Sequence, residues 1–264
     1  MENWREMVAF PLTGRSPKPR QRGLTMILDK GLGLGETKDL LEIAGNHIDF
    51  IKLGFGTSAL YSDGILQEKL SLVRQYNVGI YPGGTFLEIA IAQGKLKRFL
   101  NLAKVLGFTA IEVSDGSISL EPRVRREAIL RGKEMGFTVL TEVGKKDPNA
   151  CPSLKELAAQ AVDDLTYGAD WVIVEGREFG KGVVIYDEQG RIKPGSLEEF
   201  TAYLPDKDVI FWEAPLKEQQ QELIIRFGPD VNLGNIPPQE VLSLEALRVG
   251  LRGDTLKYCQ AIAK

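Results

Sequence analysis

The chain has 264 residues, 43% of them hydrophobic and 26% charged, with 28 glycines and a net charge of -3. That balance excludes a disordered chain, the absence of a basic block excludes a nucleic-acid binder, and no apolar run approaches the roughly 18 residues of a membrane span. A small-molecule partner and a cytoplasmic setting are therefore expected, in one domain, since α/β barrels form single units of about 250 residues.

The first 22 residues carry Trp4, Phe10 and Pro11 among charged residues and lack a secretory apolar core. The Pro17-Lys18-Pro19-Arg20 stretch reads as an extended arm, and the remaining chain, 23–264, as the catalytic domain. From there, short Val-, Ile- and Leu-rich runs recur as strands: Leu24–Asp29, Phe50–Leu53, Val78–Tyr81, Ala110–Ser114, Thr138–Val143, Trp171–Glu175, Val209–Glu213 and Val231–Leu233. Helical patterns fall between them, including Lys38–Ala44, Leu66–Gln75, Arg123–Met135, Leu154–Tyr167, Leu197–Tyr203 and Gln219–Phe227. Ser153 and Ser196 stand at helix entries, and Gly107, Gly136, Gly168 and Gly228 at helix exits. Eight βα units predict a (β/α)8 TIM barrel; a doubly wound open sheet is the alternative architecture. The tail from Glu245 reads as one or two helices packed outside the eighth strand.

The residue inventory narrows the chemistry. Cys151 and Cys259 stand alone and read as inert thiols. His47 is the only histidine and precedes the second strand, so it belongs at the barrel floor. Zinc sites and histidine relays are thereby disfavoured.

In a barrel, catalytic groups stand at the C-terminal ends of the strands. These ends offer Asp29-Lys30, Lys52, Gly83-Gly84, Glu112 with Ser114, Glu142 followed by Lys145-Lys146, Glu175 followed by Arg177, Glu213, and Gly234-Asn235. Four successive strands supply a glutamate, Glu112, Glu142, Glu175 and Glu213, and such a ring needs cations beside it. Oxygen ligands alone favour magnesium or manganese. The alternative is that these glutamates pair with lysines only to organise the mouth. Glycine-rich turns, with Gly83, Gly84, Gly234 and Asn235 among them, offer backbone N–H groups to a phosphate, or serve only as tight turns. Gly31-Leu32-Gly33-Leu34-Gly35 lacks the spacing of a nucleotide loop.

Several blocks in order resemble the phosphosulfolactate synthase family: Arg22-Gly23-Leu24-Thr25-Met26 through Asp29-Lys30-Gly31, Lys52-Leu53-Gly54-Phe55-Gly56-Thr57-Ser58, Glu112-Val113-Ser114-Asp115-Gly116, Glu142-Val143-Gly144-Lys145-Lys146-Asp147-Pro148, Glu175-Gly176-Arg177-Glu178, Glu213-Ala214-Pro215 and Val231-Asn232-Leu233-Gly234-Asn235-Ile236. The resemblance implies a (β/α)8 barrel, magnesium dependence, and addition of sulfite to phosphoenolpyruvate, a step towards coenzyme M or sulfolactate. On that chemistry Glu142 and Glu175, with Glu112 or Asp29, are expected to hold the ion. Arg177, Lys30 and Lys52 are expected to position the anions, with Ser114 and the glycine turns at the substrate. A lysine is needed to protonate the intermediate, its pKa lowered by neighbouring cations: Lys145 first, Lys146 in reserve. Self-association into a homo-oligomer is expected of a barrel. Two alternatives are another metal-dependent barrel lyase or isomerase on a phosphorylated acid, and a non-catalytic scaffold like stress-associated plant relatives.

Overall fold

The computed structural model describes residues 4–147 and 152–262, and the side chains of Arg5 and of residues 258–262 are not among the described groups. Cys151, Pro148 and the side chain of Cys259 therefore lie outside the described residues. Eight strands form one parallel sheet: β1 (Thr25–Asp29), β2 (Phe50–Leu53), β3 (Gly79–Pro82), β4 (Ala110–Val113), β5 (Thr138–Val143), β6 (Trp171–Val174), β7 (Ile210–Glu213) and β8 (Asn232–Ile236). Their order, β3-β2-β1-β8-β7-β6-β5-β4, brings β3 and β4 to the seam. Thr109 stitches that seam: its N–H donates to the Ile80 carbonyl at 3.1 Å and its Oγ1 accepts from the Ile80 N–H at 2.9 Å. The result is a nearly closed (β/α)8 TIM barrel, as the strand count predicted, and not an open sheet.

The helices are α1 (Trp4–Met7), α2 (Leu34–Ala44), α3 (Asp63–Gln75), α4 (Gly84–Ala92), α5 (Leu96–Leu106), α6 (Pro122–Glu134), α7 (Leu154–Thr166), α8 (Ser196–Thr201), α9 (Lys217–Phe227), α10 (Val241–Arg248) and α11 (Gly253–Ile262). Among the described residues none is long and apolar enough to cross a membrane. Ser153 caps α7 as its sequence suggests, accepting from the Glu156 N–H while Glu156 accepts from the Ser153 N–H. Ser196 is instead the first residue of α8, with Gly195 at the cap.

The two-residue period of the strands sorts side chains between two cores. Ile27, Ile51, Ile111, Val139, Val172 and Ile210 face outward and pack with the helices. Leu24, Met26, Phe50, Tyr81, Ala110, Leu140, Ile173 and Phe211 face inward and fill the barrel below its mouth. Phe50 meets Tyr81, Trp171 and Phe211 edge to face, with ring centroids 5.6–6.4 Å apart. This layer is the dry base on which the site stands.

The N-terminal arm covers the barrel floor. Lys18 Nζ donates to the carbonyls of Gly45, Ile48 and Tyr76 at 3.0, 2.7 and 3.2 Å, Arg20 donates to the Asn46 carbonyl at 2.6 Å, and Arg15 pairs with Glu245 at 2.9 Å. His47 lies at the same end, 3.7 Å from Glu245. Trp4 remains exposed.

Candidate active site

Two residues above the inward apolar layer, the same strand faces carry charge. Phe50 is followed by Lys52, Ala110 by Glu112, Leu140 by Glu142, Ile173 by Glu175 and Phe211 by Glu213. All five charged side chains are buried. Lys52 stands at the centre, its Nζ 2.9 Å from Glu112, 3.1 Å from Glu142 and 3.2 Å from Glu213. Backbone donors complete the ring: Gly84 N–H to Glu112 at 2.7 Å, Gly176 N–H to Glu213 at 2.9 Å and Arg177 N–H to Glu175 at 2.7 Å. A Cβ on Gly176 would fall 2.5 Å from the Glu213 carbonyl oxygen, so only glycine lets β6 and β7 approach here.

The ring opens into a cavity of about 360 Å³ at the mouth of the barrel. Lys52, Glu112, Glu142, Glu175 and Glu213 line its base. Gly83, Gly84 and Thr85 at the start of α4, together with Ser117, Lys146, Arg177, Glu178 and Asn235, form its walls, and Phe55 and Phe179 flank the entrance. Lys146 Nζ donates to Thr85 Oγ1 at 2.6 Å. Arg177 donates through its guanidinium to the Lys146 carbonyl, and its own carbonyl accepts from Asn235 Nδ2 at 3.3 Å.

Burial and mutual repulsion divide the carboxylates. Burial raises the pKa of Glu175, and the charges of Glu142 and Glu213 push it further up. Burial likewise raises Glu112 to about 7 against the pull of Lys52. Burial would raise Glu142 as well, but Lys52 and Lys146 overcome it and hold that carboxyl at about 2. Lys146 loses stability of its charge by burial, yet Glu142 and Glu175 outweigh this and raise its pKa. Its surroundings are acidic, so the lowered lysine pKa expected from cation crowding is not found there.

Oxygen atoms of Glu142, Glu175 and Glu213 lie within 4.8 Å of one another, and Glu175 Oε2 is buried with no hydrogen-bond partner. An all-carboxylate set of this size, with one orphaned buried oxygen, fits a hard divalent cation.

The structure thus gathers Lys52, Lys146, Arg177, Glu112, Glu142, Glu175, Gly83, Gly84 and Asn235 from the expected set and leaves five others aside. Asp29 shares the parity of Ile27 and points outward to the helix layer. There it binds Lys69 of α3 and accepts from the N–H groups of Gly31 and Leu32, both at 2.8 Å. It is not part of the cluster of carboxylate oxygens, whose members are Glu142, Glu175 and Glu213. Lys145, the first choice for proton delivery, sets its ammonium on the carbonyl and carboxylate of Asp115, each at 2.6 Å, and does not line the cavity. Lys30 is largely exposed and reaches the rim only through Glu178 at 3.6 Å. Ser114 donates to Glu88, and Gly234 packs on Met26, where a Cβ would sit 2.7 Å from the methionine methyl. Sequence reasoning missed Thr85, Ser117, Glu178, Phe55 and Phe179 as wall residues. The strand end places Glu213 in the glutamate ring but not among the candidates for the ion; its phase with Phe211 is the signal that it clusters with Glu142 and Glu175.

These features define a (β/α)8-barrel enzyme whose polar groups converge on one small charged pocket. A family model described as (2R)-phospho-3-sulfolactate synthase matches residues 13–254, and the chain belongs to that family. Its members form a carbon–sulfur bond, and so this is an enzyme of that type. The phosphosulfolactate synthase of Methanothermobacter thermautotrophicus is 45% identical, covering 92% of this chain and 94% of that protein. That of Methanocaldococcus jannaschii is 46% identical over 89% and 94%, and that of Bacillus subtilis 35% identical over 94% and 97%. Among solved structures, phosphonopyruvate hydrolase superposes with a TM-score of 0.57 at 15% identity, covering 86% of this chain and 80% of that one, a likeness of fold alone.

Proposed function

We propose that the protein adds sulfite to phosphoenolpyruvate in the presence of magnesium, giving (2R)-2-phospho-3-sulfolactate. The observation that carries this reading is the pocket itself: a three-carboxylate set fit for a hard cation, walled by an ammonium, a guanidinium and the N-terminal turn of α4. Both substrates are anions, and a cavity of about 360 Å³ suits their size. Family membership supports the reaction type.

The sulfur lone pair bonds to the methylene carbon, and the former π electrons move through the adjacent carbon into the carboxylate. A proton then returns to that adjacent carbon. Glu142, Glu175 and Glu213 would hold the ion, which when bound supplies Lewis-acid stabilisation of negative charge on a substrate oxygen. Lys52 stays below, as the fixed counter-charge that lets three glutamates share one buried site. Arg177 and the α4 N-terminus neutralise phosphate and sulfite charge, reducing the repulsion between the reactants. Lys146, protonated and facing the cavity, delivers the proton, the role expected first of Lys145.

The decisive assay follows phosphoenolpyruvate consumption by the purified protein in magnesium, with and without sulfite. Consumption is expected only with sulfite and with formation of a sulfonate product. Equal loss without sulfite would point to a different barrel lyase and overturn the reading.

A further inference from the structure

Glu88 is a buried carboxylate that the chemistry above leaves unused. It projects from α4, one turn beyond the cavity residues Gly84 and Thr85, toward the loop that follows β4. Four neutral donors converge on it. Ser114 Oγ and the Gly116 N–H (3.2 Å) reach Oε1, while the N–H groups of Ser117 (2.9 Å) and Ile118 (3.0 Å) reach Oε2. Burying a charge is costly, and three backbone amides aimed at one carboxylate fix the loop they come from. That loop in turn fixes Lys146. The Gly116 carbonyl accepts from the Lys146 N–H at 3.0 Å, and a Cβ on Gly116 would lie 3.5 Å from both Lys146 Cε and Glu175 Oε2. The far end of Lys146 is held by Thr85, also on α4.

We infer that Glu88 is a positioning residue for Lys146: α4 grips this lysine at both ends, at its ammonium through Thr85 and at its backbone through the loop that Glu88 ties down. The inference rests on the proton-donor reading of Lys146. Glu88→Gln keeps the shape but sets an amide NH₂ against at least one backbone N–H donor, so the loop loses at least one of its three backbone hydrogen bonds and shifts. A misplacement on the order of 1 Å costs a reacting group up to about 100-fold.

The test is a double-mutant cycle of Glu88→Gln and Lys146→Ala in the full chain with magnesium, reading kcat, KM for phosphoenolpyruvate and the solvent deuterium isotope effect on kcat. Glu88→Gln alone is expected to lower kcat roughly 10- to 100-fold. KM should stay within about twofold, as for a group that acts in the transition state only, and the isotope effect should rise. In the Lys146→Ala background it should lower kcat no further, because a residue acting only through Lys146 has nothing left to position. An equal further drop in that background, or a rise in KM without loss of kcat, overturns the role of Glu88 while leaving the proton donor intact. Full turnover by Lys146→Ala alone overturns the proton donor, and this inference with it. Should Glu88→Gln fail to give a native circular dichroism spectrum, Glu88→Asp, which keeps the charge on a shorter arm, runs the same cycle with the same criteria.

Discussion

Replacing Lys52 with methionine removes the cation that three buried carboxylates share. The methionine fills similar volume, so the loss is electrostatic. Glu112, Glu142 and Glu213 each sit within 3.2 Å of the Lys52 Nζ, and all are buried. Removing one partner of a buried pair costs about 3–5 kcal/mol, because the charge left behind has no counter-ion. For a chain of this size that corresponds to a fall in Tm of roughly 6–20 °C. The deficit depends on pH with a definite sign. The folded-state pKa of Glu142 lies at about 2, below its ordinary 4.5, with Lys52 the largest of the influences that lower it. Its stabilising contribution is therefore complete above pH 4.5 and disappears as the pH falls through 2. Glu112 and Glu213 have raised values, caused first by burial, and protonation relieves their repulsion. The gap between wild type and Lys52→Met is thus widest near pH 7 and narrows in acid. Urea denaturation of both proteins at pH 7 and pH 3 measures it. A gap at pH 7 no larger than the ~1 kcal/mol of an exposed pair, or one that widens in acid, would refute the central role of Lys52.

Two further outcomes are expected. Lys146→Ala should lower kcat by about 10²- to 10⁴-fold, the usual worth of a positioned proton donor, whereas Lys145→Ala, whose ammonium rests on Asp115, should lower it less than about tenfold in the same steady-state assay. The reverse ranking would return the proton to Lys145. Glu175→Gln should weaken magnesium binding at least about tenfold by isothermal titration calorimetry, since even residues outside the ligand set cost that much. Unchanged affinity would remove Glu175 from the ligands.

Much of this architecture is local and therefore legible in the chain. Strand runs and capping glycines set eight βα units, and eight units close a barrel. The charged strand ends, Lys52, Glu112, Glu142, Glu175 and Glu213, follow from the same phase, because each stands two residues beyond an apolar one. Parity separates Asp29 from them: it continues the outward face of Ile27, and its position at a strand end concealed that.

What the amino-acid order determined is which residues stand at the mouth; which of them face the pocket was decided by tertiary contacts. Lys145 and Lys146 are adjacent and chemically identical, and their fates divide on Asp115 and Thr85, which arrive from other elements. Glu88 carries no motif at all, and its four donors lie 26 to 30 residues along the chain. Hydrogen bonds across such separations depend on tertiary packing, because it is the packing of α4 against β4 that brings Glu88 to the loop that follows β4.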